Sequence, residues 1–569
     1  MSAPSHSPDR ARWIWALLAV FALAAGLGLR EPSPPDEPRF ALAAQTMVES
    51  GQWLVPHRGQ ELYAEKPPPF MWAQAAALAV SGNLEVAFLL PSLLAALLTL
   101  VLVRDLARRL WTPDVARSAV AALFVCVQFG LQAKRGQIDM LLVGLTTLSL
   151  WALLRFLLLN RAPRWLWLGM FAAGVGTVTK GVGFLPILVL LPWLLLGRPK
   201  PAAGPTTPAW IWLAAPLAFV AGTAVWLGPL LTHLALQPDP ELTAYTQELL
   251  FRQTAERYAN AWHHLRPWWY YLQVIFTLWL PGALLLPWLL PLWLRRLRER
   301  DPATVLLIGW SMLVLLFFSV SPGKREVYIF PALPALCLAA APWLPELLRR
   351  RGVQIALTAY LALMTLLLVA APVAALGGWS PWAERLAAQR EVSAEDLRGF
   401  LLWLLAVGIS GCVALAVWRR QHIGRALILF TAVLWGAYGF GLAPALDASS
   451  SAHQIMQRVG RQIGRDAELG LVAWREQYLL QADRPAAEFG FKQPWHEQWA
   501  AAANWAAGAP GRRWLFVLDE ALSPCVDRSQ LVAAGSANRR DWWLVPGAAI
   551  APGCVTPPFP EPAEEADPP

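Results

Sequence analysis

The stretch LEVAFLLPSLLAALLTLVLV, residues 84–103, contains one charged residue and is followed directly by Arg104. Its 20 residues fall within the ~17–25 that a helix needs to cross the hydrocarbon core of a bilayer. Residues 13–29 and 353–376 carry no charge and have similar lengths. A cleaved signal peptide is the alternative reading of residues 13–29, but the many later apolar segments favour a retained anchor. The pattern predicts a polytopic α-helical membrane protein.

The composition of the whole chain fits this class. Of its 569 residues, 56% are hydrophobic and 15% are charged, whereas soluble domains average about 45–50% apolar and about 25% charged residues. A net charge of +9 would raise the question of nucleic-acid binding in a soluble protein. Here the basic residues cluster in short loops between apolar segments, as the orientation rule for membrane proteins requires, so we exclude nucleic acid as a partner.

About thirteen apolar segments are predicted to span the membrane. They are residues 13–29, 84–103, 114–133, 140–159, 165–180, 183–197, 209–234, 269–294, 303–320, 327–345, 353–376, 399–418 and 426–445. If the N-terminus is cytoplasmic, every even-numbered span ends at a cluster of arginine or lysine, as expected of cytoplasmic loops. The short apolar stretch Pro67–Ser81 would invert this order if it crossed the membrane, so we interpret it as an interfacial helix.

This topology divides the chain into three parts. Residues 1–445 form the transmembrane region, with a first outer loop at 30–82 and a second outer loop at 235–268. Residues 446–556 form a small α/β domain on the outer side, with strands expected at Leu469–Trp474 and Arg513–Asp519 and part of a helix at Ala500–Ala507. Residues 557–569 are acidic and rich in proline, and we expect them to be disordered.

The five cysteines show no metal-ligand spacing. Cys126, Cys337 and Cys412 each lie alone in an apolar span, so we interpret them as core residues. Cys525 and Cys554 are the two cysteines of the outer domain, and they can pair if that domain faces an oxidising compartment.

Charged motifs recur on the predicted outer side of the membrane. The first outer loop contains Asp36-Glu37-Pro38-Arg39-Phe40, Gly51-Gln52-Trp53-Leu54-Val55-Pro56 and Tyr63-Ala64-Glu65-Lys66-Pro67-Pro68. Later outer turns contain Asp139-Met140, Thr179-Lys180-Gly181 and Lys324 followed by Tyr328 and Pro331. A solvated loop, a helix cap or a snorkelling lysine would explain any one of them. These explanations do not account for acidic and basic residues on so many turns of one side.

Together, these motifs resemble the GT-C family of polyprenyl-phosphate-sugar-dependent transferases, in the branch of the bacterial aminoarabinose lipid A transferases and related protein mannosyltransferases. The resemblance runs from residue 36 to about residue 331 and does not reach the C-terminal domain. Two positions depart from the family pattern. Phe40 replaces a tyrosine, which removes a hydroxyl donor and leaves the identity of the substrate undetermined. Val182 replaces a proline, which affects helix geometry.

The resemblance implies a GT-C fold and an inverting transfer of a sugar from undecaprenyl phosphate to lipid A or another periplasmic acceptor. It places the enzyme among the lipids of the bacterial inner membrane and gives no firm reason for a cofactor or metal. The implied catalytic residues are Asp36, Asp139 and Glu65. Donor phosphate is assigned to Lys66, Arg257 and Lys324, and further substrate contacts to Glu37, Arg39, Tyr63, Lys180 and Tyr328.

These assignments agree with the chemistry of transfer. Cations must stabilise the phosphate as it leaves, whereas a carboxylate is needed as a base only if the acceptor is a hydroxyl. A lipid or sugar transporter is the main alternative, and a membrane scaffold for the C-terminal domain is another. Transporters tend to have interrupted helices and ionisable groups at mid-membrane, and a scaffold has no need for the acidic and basic motifs of the outer side.

Overall fold

The membrane-spanning part is a bundle of long apolar helices. The structure is a computed structural model that describes residues 7–197, 208–250, 265–379, 381–390 and 392–558. Within these ranges seven helices are long and apolar enough to cross a membrane: Leu84–Leu110, Ile138–Leu159, Ala209–Leu236, Pro302–Val320, Arg351–Leu376, Ala394–Trp418 and Arg420–Asp447.

Two further candidate spans are broken helices. Pro113–Phe124 and Val127–Ala133 meet at a bend of 71°, and Tyr270–Leu278 and Gly282–Arg298 meet at a bend of 102°. The two breaks lie side by side, because the Val127 N–H donates to the Leu280 carbonyl over 3.1 Å. Trp279 Nε1 also donates to the Gln128 side chain at 2.6 Å. Each break thus supplies hydrogen bonds to the other, which a membrane interior requires.

The other four predicted spans contain shorter helices. These are Ile14–Ala24, Pro163–Thr179, Leu185–Leu195 and Ala332–Ala340, of which the longest has 17 residues. Length and composition therefore support up to nine spans within the described ranges, and the count of thirteen stays a prediction. The stretch interpreted as interfacial forms the helix Pro69–Ser81, whose 13 residues are too few to cross a bilayer.

Glycines allow two of the apolar helices to approach closely. A Cβ at Gly174 would overlap the Phe219 carbonyl, and a Cβ at Gly222 would overlap the Phe171 carbonyl. These residues lie in the helices Pro163–Thr179 and Ala209–Leu236. Small residues at such crossings let backbones pack against each other where lipid provides no hydrophobic driving force.

The first outer loop folds into two helices and a small hairpin. Helix Glu37–Ser50 has Pro38 in its first turn and ends at Gly51, which adopts the left-handed conformation typical of a helix C-terminus. The hairpin pairs β1 (His57–Arg58) with β2 (Glu61–Leu62) and leads to helix Pro69–Ser81. Phe40 packs edge-on against Phe70 at 5.6 Å between ring centroids, so the two helices share an apolar contact. Two other helices lie in predicted outer segments, Pro240–Gln247 and Trp382–Arg390.

The C-terminal domain is built on a five-stranded mixed sheet. Its strands are β3 (Glu468–Val472), β4 (Ala486–Glu488), β5 (Arg513–Leu518), β6 (Val532–Ala537) and β7 (Arg540–Pro546). Their order is β4-β3-β5-β7-β6, and β3 runs parallel to both neighbours. The helices are His453–Ile463, Glu476–Leu480 and Trp495–Ala507. The two predicted strands and the predicted helical segment are therefore confirmed to within a few residues.

The cysteines follow the predictions with one exception. Cys525 and Cys554 form a disulfide with a Cα–Cα distance of 5.7 Å, which confirms the expected pair. Cys126 and Cys337 are buried, but Cys412 is exposed. Its interpretation as a core residue was wrong. Helix Ala394–Trp418 is only 28% buried along its most apolar part, so most of its side chains, including Cys412, do not pack inside the protein.

Candidate active site

The start of helix Glu37–Ser50 is fixed by a buried ion pair. Glu37 accepts from both terminal nitrogens of Arg30, at 2.6 and 2.7 Å, in a bidentate arrangement. It also accepts from the backbone N–H of Gly136 at 2.8 Å. Burial opposes ionisation of Glu37, but the charge and hydrogen bonds of Arg30 outweigh it and lower the pKa of Glu37. Glu37 thereby ties the first outer loop to the turn that carries Asp139.

Asp36 lies at the N-cap position of this helix, yet its side chain makes no capping hydrogen bond. Instead, its carboxylate accepts from Gln137 Nε2 at 3.2 Å and forms an ion pair with Arg325 at 3.6 Å. Arg39 lies 4.0 Å from its other oxygen. The predicted catalytic carboxylate therefore faces neighbours from three separate segments of the chain.

Asp139 and Lys180 form the next part of the site. Asp139 lies in the first turn of helix Ile138–Leu154, where Gln137 occupies the N-cap position. Its carboxylate pairs with Lys180 Nζ at 2.5 Å, and that ammonium lies 5.5 Å from the centre of the Tyr328 ring. These three predicted residues are thus brought together from three different outer turns.

Arg325 pairs with Asp36 and is also affected by the charge of Asp139. Burial disfavours its charge, but the nearby carboxylates of Asp36 and Asp139 outweigh this effect and raise the pKa of Arg325. We call Asp36, Gln137, Asp139, Lys180 and Arg325 the Asp36 cluster.

Glu65 lies in a second group of charges. Its carboxylate pairs with Arg58 at 2.5 Å and with Arg39 at 3.4 Å. Burial opposes ionisation, but the charges of Arg58 and Arg39 outweigh it and lower the pKa of Glu65 to about 2. Glu65 is therefore a carboxylate at any physiological pH.

Both arginines also reach a residue of the C-terminal domain. Glu476 Oε1 lies 3.0 Å from Arg39 Nε and 3.5 Å from Arg58 Nε, and its side chain is only 5% exposed. Together, Arg39, Arg58, Glu65 and Glu476 form a closed ring of alternating charges, which we call the Glu65 ring. Arg39 joins this ring to the Asp36 cluster through its 4.0 Å approach to Asp36.

The remaining predicted residues take no part in the ion pairs described for these two groups. Lys66 Nζ donates to the Glu65 carbonyl at 3.0 Å. Lys324 is buried and donates to the Ser321 carbonyl at 2.6 Å and to that of Arg266 at 3.4 Å, so it braces the second outer loop. Tyr63 is buried and its ring lies 4.7 Å beneath the Arg58 guanidinium. Arg257 lies outside the described residues.

Sequence reasoning missed four residues of the site, namely Arg58, Gln137, Arg325 and Glu476. Arg325 follows Lys324 directly, and Gln137 lies two residues before Asp139, so the motifs themselves point to both positions. Arg58 lies between two quoted motifs of the first outer loop. Glu476 lies in the domain without a matching motif, and only the fold brings it to the site.

The geometry favours the binding of an anion. Within the ranges that the structure describes, no three His, Cys, Asp or Glu residues are grouped so as to hold a metal ion. The carboxylates of Asp36 and Asp139 lie beside the cations Arg39, Lys180 and Arg325. Such an arrangement can bind a phosphate and orient a second polar reactant beside it.

Two family models match this chain. Residues 65–228 match the family described as dolichyl-phosphate-mannose-protein mannosyltransferase. Residues 259–378 match the Alg9-like mannosyltransferase family. The first match covers Glu65, Asp139 and Lys180, and the second covers Arg325 and Tyr328.

Similar proteins are found among the pseudomonads. An undecaprenyl phosphate-α-4-amino-4-deoxy-L-arabinose arabinosyl transferase from Pseudomonas fluorescens (strain Pf0-1) is 33% identical over 419 residues, which cover 69% of this chain and 68% of the relative. A protein of the same description from Pseudomonas aeruginosa (strain UCBPP-PA14) is 33% identical over 398 residues, covering 68% and 67% of the two chains.

A solved structure shares the fold. ArnT from Cupriavidus metallidurans bound to undecaprenyl phosphate superimposes with a TM-score of 0.73 at 20% sequence identity, covering 95% of this chain and 98% of that one. The apo state of the same protein superimposes with a TM-score of 0.72. The likeness covers nearly the whole length of both chains and shows that they share a fold.

Proposed function

This chain belongs to the family of undecaprenyl phosphate-α-4-amino-4-deoxy-L-arabinose arabinosyl transferases, and we propose that it transfers 4-amino-4-deoxy-L-arabinose from undecaprenyl phosphate to lipid A. It is a multi-pass membrane glycosyltransferase that uses a polyprenyl-phosphate-linked sugar. The sugar follows from the description of its relatives, and lipid A is the acceptor that the family resemblance implies. The site faces the periplasm in this proposal, on the outer side of the inner membrane.

One observation carries the proposal: Asp36, Asp139, Lys180 and Arg325 converge from four separate segments onto one cluster at the predicted outer ends of the helices. The Arg325 guanidinium lies 3.6 Å from Asp36. Lys180 pairs with Asp139 at 2.5 Å. A phosphate leaving group needs fixed cations beside it, and an incoming acceptor needs a fixed polar group to orient it.

The carboxylates take different roles. Asp36 lies within 4.0 Å of Arg39 and Arg325 and orients the acceptor, or takes its proton if the acceptor is a hydroxyl. Glu65 has a pKa of about 2, which makes it a poor base, so it acts by holding Arg39 and Arg58. Glu37 is occupied by Arg30 and acts by positioning Asp36.

Arg325 joins Lys66, Lys324 and Arg257 as a residue that holds phosphate. Its guanidinium is partly exposed, whereas Lys324 is buried against backbone carbonyls. Arginine also matches the geometry of phosphate oxygens through paired N–H donors. Arg325 is therefore the first cation of the cluster to replace when donor binding is measured.

The experiment that tests this function is reconstitution. Purified protein in lipid nanodiscs is incubated with undecaprenyl phosphate-4-amino-4-deoxy-L-arabinose and lipid A, and the lipid A is examined by mass spectrometry. We expect one added aminoarabinose per modified phosphate and release of undecaprenyl phosphate. Lipid A from cells with and without the gene provides the same comparison in vivo.

The same assay separates the transferase from the transporter alternative. The two broken helices are a feature that many transporters share, so interrupted helices do not argue against transport here. Family membership and the charged site favour transfer. Movement of the donor lipid across the bilayer without any modified lipid A would contradict the proposal.

A further inference from the structure

The C-terminal domain completes the Glu65 ring. Its helix Glu476–Leu480 presents Glu476 to Arg39 and Arg58, although these residues are more than 400 positions apart in sequence. We infer that Glu476 is a positioning residue for the transfer reaction: it holds Arg39 and Arg58 so that the carboxylate of Asp36 stays available to substrate. The inference rests on the proposed function.

The first step of the argument is the charge balance of the ring. Arg39 and Arg58 carry two positive charges, and Glu65 and Glu476 carry two negative charges. Glu476 is 5% exposed and Arg58 is 6% exposed, so water screens neither well. Removing a partner from such a buried pair leaves an uncompensated charge, which seeks another partner.

The second step is the identity of that other partner. Arg39 already lies 4.0 Å from Asp36, and its Nε is held at 3.0 Å by Glu476. Without the charge of Glu476, Arg39 keeps only Glu65 as a partner in the ring, at 3.4 Å, and its guanidinium can turn toward Asp36 and form a closer pair. Asp36 would then be occupied by Arg39 and displaced from its contacts with Gln137 and Arg325.

The third step is that Glu476 is distinct from the residues that merely hold the domain in place. The domain also contacts the β1–β2 hairpin through Glu488, whose carboxylate accepts from the backbone N–H of Gln60 at 2.8 Å. It also contacts the hairpin through Phe491, because the Arg58 guanidinium lies over the face of the Phe491 ring, 4.2 Å from its centre. Glu488 therefore contacts the hairpin without touching Arg39 or Arg58 in any described hydrogen bond or ion pair, which makes it a matched control.

The test compares Glu476→Gln with Glu488→Gln in the full-length protein. Steady-state transfer is measured in nanodiscs with undecaprenyl phosphate-4-amino-4-deoxy-L-arabinose and lipid A, together with the thermal midpoint. For Glu476→Gln we expect kcat to fall about 10–100-fold, since small misplacements in a site cost about this much. The donor KM should not rise, because the site becomes more positive toward an anionic donor. Glu488→Gln should stay within about threefold of wild type in kcat, given that an amide oxygen can still accept from Gln60.

Two further variants separate positioning from general damage. Glu476→Asp keeps the charge and should recover part of the lost kcat. The double variant Arg58→Gln/Glu476→Gln restores one arginine per carboxylate in the ring, so its kcat should be higher than the product of the two single effects.

The outcomes are distinguishable. An inactive wild-type protein in the same nanodiscs would overturn the proposed function itself, and this role with it. An active wild type with Glu476→Gln at near-normal kcat would overturn only the inference. So would a Glu476→Gln variant whose thermal midpoint falls and whose donor KM rises, because that result assigns Glu476 to domain docking, and so would strict additivity in the double variant.

Discussion

Asp36 is unusual among aspartates that precede a helix. Such residues ordinarily accept a hydrogen bond from the backbone N–H two or three positions later, which stabilises the helix by about 0.5–2 kcal/mol. Asp36 forgoes this bond and faces Gln137 and Arg325 instead. The buried Arg30–Glu37 pair next to it secures the helix start by other means. Glu37 thus stabilises the start of the helix, so that the carboxylate of Asp36 is not needed as a cap and can face the site.

Replacing Asp36 by Asn should lower the rate of transfer about 10²–10⁴-fold, the range for the loss of an acid–base group. The change keeps the size of the side chain and removes its charge. Glu49→Gln provides a control, because Glu49 lies on the same helix, is exposed and contacts only Gln45 among the described hydrogen bonds. Near-wild-type transfer by Asp36→Asn at normal expression would make Asp36 structural and shift the catalytic role toward Asp139.

The low pKa of Glu65 gives a prediction about pH. A carboxyl whose folded pKa lies near 2 and whose ordinary value is 4.5 stabilises the fold above pH 4.5, and this contribution is lost only as the pH falls toward 2. Between about pH 5 and 9 the residue does not titrate. Glu65→Gln should therefore lower kcat/KM by the same factor at every pH in that range. A limb of the wild-type profile that vanishes in the variant would show that Glu65 does titrate during turnover.

At the scale of elements, the glycine crossing between Pro163–Thr179 and Ala209–Leu236 leaves no room for a side chain at the contact. Gly222→Ala places a methyl group onto the Phe171 carbonyl, and we expect a loss of about 1–3 kcal/mol, as for other overpacked sites. Gly228 lies on the same helix, and a Cβ there meets only Ala224 at 3.6 Å. Thermal unfolding in detergent should show a lower midpoint for Gly222→Ala and little change for Gly228→Ala. Equal midpoints would contradict the importance of this crossing.

The broken helices mark what periodicity cannot predict about an element. Residues 114–133 form one apolar run in the sequence, but the chain bends between Phe124 and Val127. The reason is tertiary, because the Val127 N–H finds the Leu280 carbonyl of the other broken helix. A distant partner decides the local shape here. Of the five strands of the C-terminal domain, β3 and β5 were predicted, each from a short apolar run, whereas β4, β6 and β7 were not.

At the scale of the whole molecule, the arginine-rich loops predict a testable orientation. A reporter fused after residue 425 should be cytoplasmic, whereas one fused after residue 450 should be periplasmic, since one span lies between them. Activity of paired phosphatase and fluorescent reporters measures this directly. Cytoplasmic signal from the second fusion would place the Asp36 cluster on the wrong side for a periplasmic acceptor.

The sequence predicted the parts of the site that lie in short motifs and missed the parts that depend on long-range assembly. Asp36, Glu65, Asp139 and Lys180 belong to family motifs, and their roles in transfer stay predictions. Asp139 pairs with Lys180, and Arg39 lies within 4.0 Å of both Asp36 and Glu65. Glu476 belongs to no motif, because its role follows from how one domain lies on another. Apolar segments can be recognised from composition alone. The number of spans depends also on helix length and on bends, which composition does not give.

The Glu65 ring can be completed only late in the synthesis of the chain, because its four residues lie far apart in sequence. Arg39, Arg58 and Glu65 leave the ribosome early, and Glu476 follows only after the whole membrane region. At about 5–20 residues per second, the interval is roughly 20–80 s. During this interval Arg39 and Arg58 are already in the membrane-inserted part of the chain, but they have only Glu65 as a counter-charge because Glu476 has not yet been synthesised. A chain that ends before residue 476 lacks this carboxylate, so it should transfer at least as slowly as Glu476→Gln, about 10–100-fold below wild type.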